Sequence, residues 1–386
     1  MVRFKYSPSI EFVMAKIALV SDAAYPWNVG GVETLERVEA EALAKRHEVH
    51  FFSFRWRGMG SRFRDGGIMY HTFHEIGKEK FYRHGRRSIR EALVFSAVVL
   101  RIFRYRFKAI QANQFPILHL PVLKLYCVLS GCKLIIDVHE VWDKEYWTTY
   151  VGSFMGTLAN AYATMALRLG DRYIANSEVT ALGLERLGVQ KEKIDLFSPV
   201  IDDDIIRSTG NPKQKREVIF AGRLIKEKRL DKWLLVLKSM QSRTRARGVI
   251  IGEGPEEDNL ASSIRRMGLS GRVELRRFYK SKQELYRRIR ESALLLQMSE
   301  REGLSMIVLQ SIALGTPVLL PDYSPIPDDI KRMCVVGEEN ELPRIAEKMM
   351  RGPKARYIKG AGLIDRFYIS KAGNFYEGLF ARMGVS

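Results

Sequence analysis

The stretch that decides the fold is residues 299–318, SEREGLSMIVLQSIALGTPV, in which a polar loop leads into an apolar helix. An apolar run, Ala293–Gln297, comes directly before it, and a second run, Pro317–Leu320, follows the helix. A strand, a polar loop, a helix and another strand in this order are typical of a parallel sheet that helices cover. The N–H groups at the helix start near Ser305 would point at the loop, where they favour an anion.

Two polar side chains in this stretch are candidate ligand contacts. Glu302 lies just ahead of the helix, and Gln310 follows eight residues later, which is roughly 12 Å along a helix at 1.5 Å per residue. One side chain at the mouth of a site and one deeper would hold two parts of a long ligand. The alternative is that Glu302 is a favourable first-turn carboxylate and that Gln310 is a surface residue.

The same alternation extends to both ends of the chain. Before residue 198 we expect strands at Lys16–Val20, His47–Phe54, Leu134–Val138 and Tyr173–Ala175. After residue 216 we expect them at Val218–Ala221, Gly248–Gly252, Arg272–Leu275, Ala293–Gln297 and Pro317–Leu320. Amphipathic helices lie between the strands. This order predicts an α/β protein with two doubly wound, Rossmann-like domains that face each other across a ligand cleft.

The domain boundaries follow from changes in composition along the chain. The polar stretch Ser198–Arg216 contains proline and glycine and has no periodicity, so we interpret it as an interdomain linker. The predicted domains are therefore residues 1–198 and residues 199–368. Residues 369–386 carry apolar residues at helical spacing, and we expect this terminal helix to pack back on the first domain.

Composition excludes several classes of protein. With 46% hydrophobic and 28% charged residues in a chain of 386, disorder, collagen and coiled coil are excluded. Cys127, Cys132 and Cys334 have no metal-ligand spacing, which argues against a disulfide framework or a zinc site and favours a reducing compartment. No run of about 18 apolar residues is present, as a membrane span would require. Residues 1–13 contain no convincing secretory signal, and we expect a soluble cytoplasmic protein.

The net charge of +19 indicates an acidic partner, such as phosphate groups, an anionic membrane surface or nucleic acid. Residues 55–108 contain 14 basic and 4 acidic residues, a surplus of +10. Interpreted as a helix, Arg83–Lys108 is typical of a basic membrane-surface element. The alternative is an ordinary helix with its apolar stripe in the core of the first domain. That stripe consists of Ile89, Leu93, Ser96, Leu100, Phe103 and Phe107.

Three further loops, each directly after a predicted strand, contain candidate site residues. Gly30 and Gly31 open a helix, and glycines let the backbone approach a phosphate. Arg223 and Lys228 are two fixed cations that suit a diphosphate. His139 follows a strongly apolar strand and suits a catalytic or sugar-binding role. The respective alternatives are a plain strand-to-helix turn, a solvated basic turn and a structural histidine.

Together these motifs resemble the retaining glycosyltransferases of family 4, of the glycosyltransferase group 1 type, which have the GT-B fold of two Rossmann-like domains. In family order, the matches are VGGVE (29–33), DVHE (137–140), FAGRLIKEK (220–228), GEGP (252–255) and the stretch 299–318. The ordered set is specific. The resemblance implies that residues 1–198 bind the acceptor and that residues 199–368 bind a nucleotide-sugar donor.

The resemblance also implies which residues bind the donor. Gly30 and Gly31 match the loop of the first domain that approaches the donor diphosphate. Arg223 and Lys228 match the cationic pair that neutralises the diphosphate leaving group. The backbone that would cradle phosphate belongs to Gly303, Leu304 and Ser305.

Two residues receive catalytic roles from the resemblance, and three positions depart from the family. His139 matches the histidine that contacts the transferred sugar, and Glu302 matches the first glutamate of the Glu-x7-Glu motif. Gln310 stands where the second glutamate normally binds the ribose hydroxyls, and it lacks the two carboxylate oxygens that suit a diol. Arg229 replaces a usual glycine, and Met298 replaces a usual proline.

The implied activity is retaining sugar transfer that needs no metal and no cofactor. The basic first domain favours a lipid-linked or glycan acceptor and contact with an anionic membrane, so we expect a cytoplasmic protein that is peripheral at the inner membrane face. A sugar-nucleotide epimerase on the same fold is an alternative. A nucleic-acid-binding protein is another, but the chain has no zinc finger, RNA-recognition signature or arginine-rich tail, so we expect no nucleic acid partner. An NAD-dependent oxidoreductase is weaker because the three-glycine fingerprint is missing.

Overall fold

The structure is a computed structural model that describes residues 14–28, 30–83, 86–240, 244–279, 281–302, 304–358 and 361–385. Its strands are β1 Lys16–Val20, β2 Glu48–Trp56, β3 Arg62–Asp65, β4 Ile68–Ile76, β5 Tyr82–Arg83, β6 Arg86–Arg87, β7 Ala109–Asn113, β8 Lys133–Val138, β9 Arg172–Ala175, β10 Ile194–Leu196, β11 Glu217–Ala221, β12 Arg247–Ile251, β13 Val273–Arg276, β14 Leu294–Leu296, β15 Val318–Pro321 and β16 Val335–Gly337. Its helices are α1 Gly31–Ala44, α2 Lys78–Phe81, α3 Ile89–Val99, α4 Leu120–Ser130, α5 Lys144–Val151, α6 Ser153–Leu167, α7 Glu178–Arg186, α8 Asp203–Ser208, α9 Leu230–Met240, α10 Glu257–Arg266, α11 Lys282–Glu291, α12 Met306–Ala313, α13 Asp328–Lys331, α14 Leu342–Arg351 and α15 Ala372–Met383.

Two large sheets confirm the predicted pair of α/β domains, and β5 and β6 form a separate antiparallel pair. The first has strand order β10-β9-β8-β7-β1-β2-β4-β3, and its pairs are parallel except for the antiparallel pair β3 and β4. The second has order β13-β12-β11-β14-β15-β16 and is parallel throughout. Every strand expected from the sequence is present with ends within two residues. Helices on both faces explain why the central strands β11 and β14 are buried along their whole length.

The direction of winding reverses at one place in each sheet. In the first sheet the chain leaves β1 for β2 on one side and later returns to β7 on the other. In the second sheet the same reversal separates β11 from β14. Ligands of open α/β sheets bind in the crevice at the carboxyl ends of strands where the order reverses. The loops after β1 and β7, and those after β11 and β14, are therefore the expected walls of a site.

The chain crosses between the domains twice, and the two crossings hydrogen bond to one another. The backbone N–H groups of Val200 and Ile201 donate to the carbonyl of Phe367, at 2.9 and 3.0 Å, and Ile369 N–H donates to the carbonyl of Ile201 at 2.9 Å. The expected boundaries at 198/199 and 368/369 lie in these two segments. Part of the expected linker is helical, because α8 begins after Asp202, whose side chain accepts from Ile205 N–H and caps the helix.

The terminal helix α15 packs against the first sheet, although it follows the second domain. Ala372, Tyr376, Leu379 and Phe380 are buried in the core of the first domain. Phe375 stacks on Phe197, with ring centroids 3.8 Å apart. The two crossings and this helix tie the domains together at one side of the cleft.

The basic segment differs from its sequence prediction. The α-helix begins at Ile89, after the cap Ser88, and ends at Val99, and a 3₁₀ turn continues to Arg104. The residues that face the core are Phe95, Val99 and Ile102. Ile89, Leu93, Leu100 and Phe103 are instead 40–59% exposed, so the interpretation of this stripe as a core face is wrong; among its large apolar residues, Phe107 is the one that is buried. Within the described ranges no helix combines the length and the apolar character that a bilayer crossing needs.

Candidate active site

A cleft of about 830 Å³ lies between the domains, at the carboxyl ends of the strands named above. The first domain contributes Gly30, Gly31 and His139 to its walls, and the second contributes Arg223, Lys228, Glu302 and Leu304. Residues that are far apart in the sequence therefore surround one space. Ser305 and Gln310 are buried and are not among the residues that line the cleft, and Gly303 falls outside the described residues.

The glycine loop allows a close approach between the domains. Gly30 is the extended residue before α1, and Gly31 begins the helix. A Cβ on Gly31 would lie 3.1 Å from the Sδ atom of Met306, which begins α12 in the second domain. A side chain at position 31 would require the flexible side chain of Met306 to shift by a few tenths of an ångström. The glycine lets the two N-terminal helix ends, both suited to anions, approach each other at the same cleft.

The loop that carries His139 is held by one buried side chain. Gln114, at the end of β7, accepts from the backbone N–H groups of His139 and Glu140 through its Oε1 atom, at 2.7 and 3.2 Å. Its Nε2 atom donates to the carbonyl of Glu140 at 2.6 Å. These three hydrogen bonds fix the backbone from which the His139 side chain extends. The side chain lies at the cleft wall and is 11% exposed.

Lys228 and Glu302 are brought into direct contact by the loops after β11 and β14. Lys228 Nζ pairs with Glu302 Oε1, and Gln297 Nε2 donates to the same oxygen at 2.8 Å. Both charged side chains are largely buried, at 14% and 11% exposed. The neighbouring Arg223 is exposed and lines the cleft. Arg223 and Lys228, the cationic pair expected from the sequence, therefore lie on the same wall of the cleft. Lys228 is paired with Glu302, the carboxylate expected to bind the sugar.

The helix expected to face an anion begins as expected, but Gln310 does not face the cleft. Ser305 is the residue before α12, and it is 4% exposed. Gln310 lies one turn from the end of the helix, is 9% exposed, and donates from Nε2 to the carbonyl of Val200 at 2.9 Å. Its amide therefore fastens α12 to the first crossing between the domains.

Arg229 explains why a glycine is usual at its position. Its backbone is in the left-handed region, with φ 48° and ψ 48°, which is strained for any residue with a Cβ. Its guanidinium pairs with Asp231 at 2.9 Å and also contacts Glu300. These ion pairs offset part of the backbone strain. Because the loop is partly exposed, their contribution to stability is small. Met298, at the other departure from the family, is fully buried in the core of the second domain.

Replacing Arg229 with glycine and with alanine separates the strain from the ion pairs. Both changes remove the contacts with Asp231 and Glu300, but only alanine keeps the strained backbone. We expect the glycine variant to be more stable than the alanine variant by about 1 kcal/mol. Urea unfolding of both variants measures this difference. Equal stabilities would mean that the loop abandons the left-handed conformation once the ion pairs are lost.

An aromatic wall of the cleft is the feature that the sequence analysis missed. Trp142 lies at its centre, with ring centroids 4.5–5.1 Å from those of its four neighbours, Phe115, Tyr146, Trp147 and Tyr150. All five line the cleft. A signal was present, because aromatic residues recur three and four positions apart over residues 142–150, as on one face of a helix.

Arg301 and Glu140 connect the two domains across this wall. Arg301 Nε lies 2.5 Å from Glu140 Oε1, and the guanidinium carbon lies 3.2 Å from the ring centroid of Tyr146. Trp142 Nε1 donates to the other oxygen of Glu140 at 2.9 Å. Burial raises the pKa of the Tyr146 hydroxyl, although Arg301 opposes this. A cation from the second domain therefore rests on the aromatic wall of the first.

The two sides of the cleft suit different chemical groups. On one side, Arg223, Lys228 and the start of α12 provide positive charge for a diphosphate. On the other side, the aromatic wall offers flat apolar faces on which a sugar ring or an apolar chain can rest. His139 and Glu302 line the same cleft. Such a cleft suits a transfer between two bound molecules.

Two family models together cover most of the chain. The model of Glycosyltransferase Family 4 matches residues 29–205, and that of Glycosyl transferases group 1 matches residues 201–351. A GDP-mannose-dependent alpha-mannosyltransferase of Mycobacterium tuberculosis (strain CDC 1551 / Oshkosh) is 28% identical over 162 residues. This match spans 40% of the chain and 40% of the relative's length.

Solved structures resemble the whole chain. The sucrose-phosphate synthase of Thermosynechococcus elongatus has a TM-score of 0.73 at 16% identity, over 95% of this chain and 100% of that chain. HepE of Anabaena, in complex with UDP-glucose, has a TM-score of 0.66 at 16% identity, with the same coverage. At these identities the likeness establishes the fold, and the expected GT-B arrangement is confirmed.

Proposed function

The chain belongs to the family 4, group 1 glycosyltransferases, and from that premise we propose that it transfers a sugar from a nucleoside diphosphate sugar to a hydroxyl group of a membrane-bound amphiphile. The observation that carries this proposal is an exposed apolar surface that continues into the aromatic wall of the cleft. The reaction takes place at the cytoplasmic face of the membrane and retains the configuration of the transferred carbon. Retention rests on the family alone.

The donor half of the cleft supports a nucleotide sugar. Breaking the bond between sugar and phosphate develops negative charge on the diphosphate and positive charge on the sugar ring. Arg223, Lys228 and the start of α12 lie at the wall that would receive the first charge, and positive groups placed there stabilise it. The Mycobacterium tuberculosis relative is named for GDP-mannose, and HepE was solved with UDP-glucose. Both names support this donor class.

The ion pair between Lys228 and Glu302 links donor binding to the sugar. A diphosphate oxygen at Lys228 competes with Glu302 for the ammonium group. The displaced carboxylate becomes free to accept from a sugar hydroxyl, while Gln297 still holds its Oε1 atom. The leaving phosphate then accepts the proton of the acceptor hydroxyl, so no further base is required on the protein.

The acceptor half of the cleft continues onto the outside of the first domain. We call this region the outer apolar surface; its members are large apolar side chains, 40–76% exposed, on α3, the 3₁₀ turn after it, α4 and α6, three helices that pack against one another. They are Ile89, Leu93, Leu100, Phe103, Leu125, Val128, Leu129, Phe154, Met155, Leu158 and Met165. Large apolar side chains exposed together on neighbouring helices favour an interaction site.

Three members of the outer apolar surface, Ile89, Met155 and Leu158, also line the cleft. These three side chains connect the outer apolar surface with the cleft that the aromatic wall also lines. A hydroxyl-bearing head group attached to an apolar chain on this surface would lie beside His139 and Glu302. This continuity favours an amphiphile over a fully water-soluble acceptor.

The charges around the outer apolar surface select an anionic membrane. Arg90, Arg101 and Arg104 are exposed beside it, and α6 contains no charged residue. The acid of α3, Glu91, is buried. Each cation near an anionic bilayer contributes about 1 kcal/mol, and each apolar side chain that leaves water adds to this.

Vesicle sedimentation tests the membrane contact. We expect the protein to pellet with vesicles of phosphatidylglycerol and phosphatidylcholine, and less as salt increases. Changing Leu129 and Phe154 together to serine should weaken binding by about 2 kcal/mol, or roughly thirtyfold. The reason is that serine no longer buries apolar area in the bilayer at these two positions. Leu235→Ser, a change at an equally apolar exposed site of the second domain, is the matched control. Pelleting of the double variant like the wild type would contradict the proposed surface.

Product analysis tests the reaction. With a panel of nucleotide sugars, nucleoside diphosphate should be released at a substantial rate only when vesicles carrying a hydroxylated amphiphile are present. Conversion of the nucleotide sugar without any acceptor would indicate an epimerase instead. Equal transfer to a short water-soluble sugar would remove the amphiphile from the proposal and leave the donor chemistry in place.

A further inference from the structure

Three carboxyl side chains are buried beneath the loop that carries His139, and neither half of the cleft uses them. Glu36 and Glu39 lie on the inner face of α1, and Asp137 lies near the end of β8. They are 4%, 0% and 2% exposed. Acidic side chains are almost never fully buried unless they are paired, so this cluster requires a physical reason.

The partners of the cluster are neutral. Glu39 accepts from Gln111 Nε2 at 2.7 Å, and Glu36 accepts from Asn113 Nδ2 at 2.6 Å. The second oxygen of each glutamate has no hydrogen bond among the described residues. Tyr376 of α15, 2% exposed, brings its hydroxyl against Glu39 and Gln111 without completing a hydrogen bond.

The basic group in the cluster is His139. Its Nε2 atom lies 3.6 Å from Asp137 Oδ2, and both atoms are buried without a hydrogen bond to any described residue. Catalytic hydrogen bonds are often long before substrate is bound and shorten in the complex. Because Gln114 fixes the backbone of this loop, rotation of the imidazole ring is the main freedom that remains. Asp137 is placed to remove it.

The groups that face the cluster come from several elements. The acidic groups are Glu33, Glu36 and Glu39 on α1 and Asp137 on β8. The polar neutral groups are Ser21 after β1, Gln111 and Asn113 on β7, and Tyr376 on α15. The basic group is His139, on the loop after β8. Burial raises the pKa of Glu36 and Glu39 well above the usual range. Burial also raises the pKa of Asp137, but His139 and a contact with Glu39 oppose this. Of the three carboxyl groups, Asp137 is the one that lies beside a basic side chain, His139.

We propose that Asp137, supported by Glu39 and by Tyr376 of the terminal helix, is a positioning residue that holds the imidazole of His139 by accepting the Nε2 proton, which leaves Nδ1 to accept a hydrogen bond in the cleft. The role of the Nδ1 atom toward a sugar hydroxyl rests on the proposed function. The position of the ring and of its proton is independent of that function. Helix α15 thus supports the active site directly, in addition to joining the domains.

Nitrogen-15 NMR of histidine-labelled protein tests this assignment without any donor or acceptor, so a wrong substrate would not affect it. The signal of His139 is identified by its loss in His139→Asn. In the neutral ring of the wild type we expect the proton on Nε2. Asp137→Asn should produce a mixture of both tautomers, and Tyr376→Phe should change the ratio by less. A proton on Nδ1 in the wild type, or an unchanged ratio in Asp137→Asn, would overturn the proposal.

Kinetics provides the second measurement once a donor is known. Asp137→Asn should lower kcat by about tenfold with little change in donor KM, because the ring is misplaced while the donor site is intact. Two surface changes are matched controls, Glu41→Gln on α1 and Arg382→Gln on α15, where Arg382 pairs with Asp195 at 2.6 Å. Both should leave the NMR ratio and kcat unchanged. If Asp137→Asn fails to fold, the tautomer of the wild-type ring still decides the question, and Tyr376→Phe, which keeps the buried ring, tests the contribution of the terminal helix.

Discussion

Removing both donor cations, by Arg223→Ala together with Lys228→Met, is expected to lower kcat/KM by roughly 10²- to 10⁴-fold while the protein stays folded. Each cation makes a charge-assisted contact with the leaving diphosphate, and such a contact contributes about 1.5–3 kcal/mol. The sum of about 3–6 kcal/mol gives the range stated, at about 1.4 kcal/mol for each factor of ten. The effect should appear in turnover, because the diphosphate gains charge in the transition state.

The two cations should not contribute equally. Lys228 also pairs with Glu302, and both side chains are largely buried, whereas Arg223 is exposed. Loss of the lysine leaves Glu302 with the amide of Gln297 and without a cation, so a largely buried carboxylate loses its charged partner. We therefore expect Lys228→Met to lower turnover more than Arg223→Ala.

The control is Lys226→Met, which removes an exposed lysine from the same turn. Steady-state kinetics, calorimetry with nucleoside diphosphates and thermal unfolding on all variants separate turnover, binding and stability. Normal turnover in the double variant would contradict the role of the two cations. Loss of wild-type activity on addition of a chelator would contradict the proposal that the reaction needs no metal.

Gln310→Glu is expected to destabilise the protein by about 2–3 kcal/mol and to weaken nucleotide binding. The amide of Gln310 donates to the carbonyl of Val200 at 2.9 Å, and the side chain is 9% exposed. A carboxylate at this position would place two acceptors against each other in a buried site. From the sequence alone the opposite result is expected, because the change restores the residue that the family uses for the ribose hydroxyls.

The loss should depend on pH. Burial and the facing carbonyl would raise the pKa of the introduced carboxyl above its unfolded value, so the folded variant binds the proton more tightly. The carboxylate destabilises the variant at neutral pH, and the deficit shrinks as the pH falls toward the unfolded pKa, because a protonated carboxyl can donate to Val200. Urea unfolding at neutral and acidic pH measures this.

Gln310→Met removes the donor without adding charge and is the matched comparison. It should cost about 1 kcal/mol, independent of pH. Tighter nucleotide binding by Gln310→Glu at unchanged stability would show instead that the side chain turns into the cleft. In that case the family's ribose contact would be retained in this chain.

The sequence alone determined the strands and the loops that follow them. β1 has the predicted ends, and β11 differs by one residue, because a short apolar run bounded by polar or glycine residues has few alternatives to a buried parallel strand. The motifs with Arg223, His139 and Glu302 lie directly after such runs. Their placement at the carboxyl ends of strands was therefore predictable.

The buried face of the basic segment was not predictable in the same way. α3 carries one apolar set that includes Phe95 and Val99, and another that includes Ile89 and Leu93. Phe95 packs on Phe54 and His119, with ring centroids 5.0 and 5.5 Å apart. Burial of either set would stabilise the protein, so the periodicity of the sequence does not show which set is buried. The packing of the rest of the domain buries Phe95 and Val99. Ile89 and Leu93 remain exposed and form part of the outer apolar surface.

Tertiary structure also decided the partners of the polar side chains. Gln310 and Val200 are 110 residues apart in the chain, and Arg301 and Glu140 are 161 apart. A side chain's identity limits the bonds it can make, but which donor meets which acceptor depends on how the domains and α15 pack. The sequence therefore determined that a polar, phosphate-suited cleft forms at the strand ends. Only the packed chain determined that Gln310 faces Val200 and that Arg301 lies on the aromatic wall. The first contact forms when α12 packs on the crossing segment, and the second forms when the two domains meet.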